Sequence, residues 1–69
     1  MTQKELSYIE DAIGHETNII TICEDSIEDI EDANIVNFID KEIKKHTKIK
    51  DKLMKVLKES SNEWSGNTR

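Results

Sequence analysis

Residues 6–30 read LSYIEDAIGHETNIITICEDSIEDI, and the placement of apolar residues in this stretch decides the fold. Leu6, Ile9, Ile13, Ile20, Cys23, Ile27 and Ile30 recur in alternating three- and four-residue steps, and Glu16 occupies the one position where the series asks for an apolar side chain. On a helix of about 3.6 residues per turn such steps fall on one side. Ala12, Ile19 and Ile22 flank the series. The apolar stripe is therefore wider than the seam of a two-stranded coil and needs more than one neighbour.

Upstream, Thr2-x-x-Glu5 has the pattern of a capping box, in which the threonine hydroxyl and the glutamate carboxylate each satisfy an amide that the first helical turn leaves unpaired. A helix is expected over about 3–31. Downstream, Glu31-Asp32-Ala33-Asn34 interrupts the periodicity, with Asp32 or Asn34 able to cap a second helix. That helix, expected over about 35–60, carries Ile35, Ile39, Ile49, Leu53 and Val56 along one edge and Val36, Ile43 and Leu57 along the adjoining one. Glu42 and His46 interrupt the first of these edges.

So short a connection forces antiparallel packing. The expected architecture is all-α: an antiparallel two-helix hairpin over 1–60, dimerising into a four-helix bundle, followed by a flexible polar tail at 61–69. No internal repeat and no second domain are expected. Ile13, Ile19, Ile20, Ile22, Ile39, Ile43 and Leu53 are the expected interface residues; Trp64 in the tail is either an indifferent aromatic on a frayed end or an interface anchor on a neighbouring chain, since indole is favoured at interface centres.

A chain of 69 residues buries too small a fraction of its surface for one core to stabilise it comfortably. Cys23 is the only cysteine, which excludes an internal disulfide, and no Cys/His cluster has the spacing of a structural zinc site. Oligomerisation is the remaining usual device. The chain lacks proline and has only two glycines, so little in it breaks a helix. No stretch is apolar for the roughly 18 residues of a membrane span, and the N-terminus lacks the layout of a signal peptide. A cytoplasmic location is expected. Eleven isoleucines, nine lysines and five asparagines suit an AT-rich genome such as that of a low-GC bacterium or its phage.

The net charge of −5 is unevenly distributed. Residues 1–32 carry ten acidic side chains against Lys4 alone, giving −9, whereas residues 33–59 carry eight lysines against four acids, giving +4. Six of the acids crowd positions 24–32, where they oppose the dipole of the first helix. The basic second helix has little aromatic interleaving and no arginine, and an acidic helix lies beside it, so nucleic acid is not an expected partner. No glycine-rich phosphate loop and no serine–histidine–acid arrangement are present, and Cys23 holds a seam position that suits packing. An enzyme is not expected.

The three polar interruptions are the candidate site. With the turn near residue 32, Glu16 comes level with the helical turn bearing His46 and Ile49, while Glu42 and His46, at i and i+4, project on one side of their helix. A twofold dimer would gather four carboxylates and two imidazoles, the ligand count of the di-iron carboxylate bundles. Glu16, Glu42 and His46 are thus candidate metal ligands, with iron the candidate metal. The spacing differs from those bundles, being Glu-x-x-x-His where they have Glu-x-x-His. The simpler alternative is a seam in which Glu16 pairs with Lys48 or Lys50, Glu42 faces solvent and His46 fixes the register.

Glu16 with Ile19, the turn Ala33-Asn34-Ile35, Ile39, and His46-x-x-Ile49-x-x-x-Leu53-Met54 together resemble the ferritin-like hairpin of the spore coat protein F family. The resemblance covers residues 16–54. It implies a half-ferritin hairpin that dimerises, in a family associated with spore-coat assembly more than with catalysis. Position 43 is Ile43 where the ferritin-like spacing would place a glutamate. The leading expectation is a small structural or adaptor protein, non-enzymatic and homodimeric; the alternatives are a metal carboxylate protein and a regulator of a larger helical partner.

Overall fold

The first helix begins as the capping box requires: the Glu5 amide donates to Thr2 Oγ1 at 3.1 Å and the Thr2 amide donates to Glu5 Oε1 at 2.8 Å. The Thr2 amide first, and then its hydroxyl, hold the Glu5 carboxyl below its ordinary value of 4.5. In the computed structural model, which describes the backbone of residues 1–67 and the side chains of residues 1–60, this helix is α1, Gln3–Ile27, and the second is α2, Ala33–Asn67. The two pack antiparallel into an all-α hairpin with principal extents of 56 × 15 × 13 Å.

Of the two capping candidates, Asp32 takes the role, its Oδ1 accepting from the amides of Asn34 at 2.8 Å and Ile35 at 3.3 Å. α1 ends at Ile27, four residues before the expected end at residue 31. After Ile27 the chain tightens into three-residue turns, Asp29 N to Ser26 O at 3.2 Å and Ile30 N to Ile27 O at 3.3 Å. Its last turn has no basic residue, so the run of acids there meets the negative end of the helix dipole uncompensated. α2, by contrast, runs past the expected end at residue 60, its backbone helical to Asn67.

Glu16 meets His46 and Met1 meets Ser60, two contacts that share a midpoint at residues 30–31 and so fix the register of the hairpin. The buried Ser60 hydroxyl donates to Met1 Sδ at 3.4 Å and ties the start of α1 to α2.

An offset of thirty residues relates the two helices. Glu16 and His46 are thirty residues apart, and the same offset relates the caps Thr2 and Asp32 and the hydrogen bonds Leu6 N to Thr2 O and Val36 N to Asp32 O, both 3.0 Å. The alternation of half-buried and exposed positions over residues 1–25 recurs over residues 31–55. Leu6-Ser7-Tyr8-Ile9-Glu10 aligns with Val36-Asn37-Phe38-Ile39-Asp40, and Ile13, Thr17 and Ile19 recur as Ile43, Thr47 and Ile49. The hairpin is a pseudo-twofold pair of like helices, its axis normal to the plane that contains them.

Among the described residues no hydrophobic side chain is fully buried. Leu6, Ile9, Ile13, Ile20, Cys23 and Ile27 face Val36, Ile39, Ile43, Leu53 and Leu57 along the seam, and all of them are half-buried. Two helices can cover only one side of each other. No described helix is long and apolar enough to cross a membrane.

Candidate functional site

Glu16 and His46 stand at the centre of the apolar seam, which half-buried Lys50, thirty residues on from Ile20, also interrupts. Glu16 lies near the middle of α1 and His46 at the equivalent position of α2, so the pseudo-twofold axis passes between them. His46 Nδ1 donates to Glu16 Oε2 at 2.5 Å. On the other edge of the ring, Nε2 stands 3.5 Å from Glu42 Oε2, one helical turn earlier. All three side chains are half-buried. The structure therefore brings together the three residues singled out from the sequence, with the imidazole between the two carboxylates.

Among the described residues these are the only close contacts of a basic side chain with a carboxylate; Glu16 does not take Lys48 or Lys50, and no described lysine is paired with a described carboxylate. The polar interruption is satisfied, and no buried side-chain nitrogen or oxygen among the described residues lacks a partner. Such a layer costs apolar burial but penalises a slipped register, because sliding either helix would strand a carboxylate against isoleucines.

As metal ligands the three do not fit within one hairpin. A metal takes one nitrogen of an imidazole and needs the carboxylate oxygens about 2.0–2.2 Å from the same point, whereas here Glu16 and Glu42 occupy opposite edges of the ring. No group of three or more His, Cys, Asp or Glu among the described residues is arranged to hold a metal ion. His15, next to Glu16, is exposed, and Cys23 is a half-buried free thiol in the seam.

Of the expected interface residues, Ile13, Ile20, Ile39, Ile43 and Leu53 line the seam between α1 and α2, Ile19 is half-buried on its flank, and Ile22 is exposed. The Trp64 side chain lies outside the described residues. Tyr8 and Phe38, which lie outside the seam series and among none of the expected interface residues, are exposed at equivalent positions of the two helices. The signal that would have found them is the thirty-residue offset itself, which aligns an aromatic with an aromatic.

Compared with protein families, with curated proteins and with solved structures, the chain shows no match.

Proposed function

We propose that the chain is a small non-enzymatic structural or adaptor protein that works as a homodimeric four-helix bundle. One observation carries this reading: among the described residues the hairpin buries no hydrophobic side chain completely, yet leaves Tyr8, Ile22 and Phe38 largely in solvent and Val56 partly so. An apolar surface of this kind marks an interface. The satisfied Glu16–His46–Glu42 layer suits a part whose task is to hold a register. A cytoplasmic, bacterial setting belongs to the same proposal, and the resemblance of residues 16–54 to the spore coat protein F hairpin extends it to a role in sporulation.

Thermal unfolding across a hundredfold range of protein concentration tests the reading. A dimer that folds as it associates melts at higher temperature when concentrated. A melting temperature independent of concentration sinks the homodimer and favours a regulator that offers the same apolar face to a larger helical partner.

A metal carboxylate protein is the second reading, supported by the convergence of two carboxylates and an imidazole at the centre of the hairpin. It requires His46 to release one carboxylate. Anaerobic titration with ferrous iron separates the two: saturable binding at one or two irons per dimer, lost in Glu16→Ala, supports the metal reading, and no binding leaves the structural one.

A further inference from the structure

Resting on the dimer proposed above, we infer that the second copy docks on the face carrying Tyr8, Ile22, Phe38 and Val56, with the twofold axis parallel to the helices. The acidic α1 of each copy then lies on the basic α2 of the other.

These four side chains are 61%, 63%, 62% and 40% exposed. At about 100° per residue, Tyr8 and Ile22 fall on the same flank of α1, in a second series of four- and three-residue steps that includes Ala12 and Ile19. Phe38 and Val56 fall on the matching flank of α2, with Ile49 between them. A pseudo-twofold axis normal to the hairpin plane puts matching flanks on the same broad face, so the four share one surface. Met54, also exposed, lies on the opposite face. The hairpin, 56 Å long and 15 Å across, offers a footprint of roughly 800 Å² per protomer, which is what a standard stable interface uses.

Charge chooses the occupant and its orientation. Residues 1–32 carry −9 and residues 33–59 carry +4, yet within the hairpin no described lysine is paired with a carboxylate. A second copy placed about a lengthwise axis sets each acidic helix over a basic one, antiparallel, and supplies that complement. A crosswise axis would stack α1 on α1 and bring like charges together, which opposes association.

The register makes the pairing specific. Residue 22 stands level with residue 40, two positions from Phe38, and residue 8 stands level with residue 54, two positions from Val56, as the Glu16–His46 contact dictates. With α1 of one copy over α2 of the other, Ile22 packs against Phe38 of the second copy and Tyr8 against Val56 of the second copy. Asp11 comes beside Lys52 of the second copy. All four exposed apolar side chains are covered by one another.

The test is cysteine cross-linking of the full chain in a Cys23→Ala background. Ile22→Cys and Phe38→Cys chains are prepared separately, then mixed, refolded together and oxidised. The expected result is a covalent dimer in the mixture and almost none from either chain alone, because like positions lie diagonally across the bundle. If Ile22→Cys mixed with Tyr8→Cys cross-links instead, the axis runs crosswise and the inference is overturned. If neither mixture cross-links while sedimentation still shows a dimer, another face is used: the inference fails and the dimer stands. A monomer by sedimentation overturns the dimer itself.

A second pair of variants is independent of oxidation. Phe38→Glu should raise the dimer Kd by roughly thirtyfold or more, as loss of an interface hot spot does, with helicity retained in concentrated samples. Met54→Glu, on the other face, should leave the Kd within about threefold of the parent, as for a position outside the energetically important centre of the interface. Equal effects of the two substitutions contradict the assignment of the face.

Discussion

His46 Nδ1 lies 2.5 Å from Glu16 Oε2, and the two residues hold the same position in two like helices. A homodimer of identical helices would place Glu against Glu or His against His at this axis. The divergence of the two halves puts an acceptor opposite a donor where the symmetry alone would have opposed like to like.

Removing one partner leaves the other half-buried without its complement. Glu16→Ala and His46→Ala should each cost about 1–3 kcal/mol in denaturant unfolding, and the double variant should lose less than the sum of the two, with a coupling of about 0.5 kcal/mol or more. Glu16→Leu/His46→Leu should match or exceed the parent in stability, since apolar replacement of a buried pair is often neutral or favourable. Additive losses in the cycle would show that the contact contributes nothing.

The caps of the two helices are equivalent and should respond alike. Thr2→Ala and Asp32→Ala each remove the side chain that accepts from the first-turn amides, and each should cost roughly 0.5–2 kcal/mol by chemical denaturation. Loss at one position and none at the other would argue that one of these helix starts is held by other means.

Gly14 sits in the middle of α1, and a Cβ added there meets nothing within 4 Å. Gly14→Ala should therefore stabilise the protein by about 0.5–1 kcal/mol, because the alanine loses less backbone freedom on entering the helix. A destabilised Gly14→Ala with weakened dimerisation would place a second chain against that position.

The Glu5 carboxyl is held below its ordinary value of 4.5 by its hydrogen bonds with Thr2. A group whose folded pKa is depressed adds stability above the unfolded value and loses it as pH falls through the folded one. The Thr2 amide resonance should shift and the first turn of α1 fray as pH is lowered below 4.5, with an NMR titration midpoint under that value. Thr2→Ala keeps the amide, the larger cause, and removes only the hydroxyl, so the midpoint should move part of the way back toward 4.5; a midpoint unchanged by that substitution would show that the hydroxyl has no share in the shift.

Much of this fold was legible in local signals. The Thr2–Glu5 box, the Asp32 cap and the three- and four-residue steps from Leu6 to Ile27 each rest on chemistry within a few residues, and the short turn then brings Glu16 to His46. The end of α1 was harder to place, because Ile30 continues the apolar series while the acids around it work against the helix. Tyr8 and Phe38 carry no local signal of this kind. Each stands one position outside the seam series, and only their shared exposure at equivalent sites sets them apart. The geometry of Glu42 was not fixed by its spacing either, since i and i+4 placement with His46 serves a metal or a ring nitrogen equally well until the ring edges are seen.

The most direct test of the central claim is sedimentation equilibrium of the full chain at micromolar concentration near neutral pH. A homodimer of this kind gives a folded, helical species of twice the 8.0 kDa chain mass, dissociating on dilution together with its helicity. A helical species at 8.0 kDa that unfolds cooperatively would contradict it, and would mean that the hairpin stands with its apolar face uncovered.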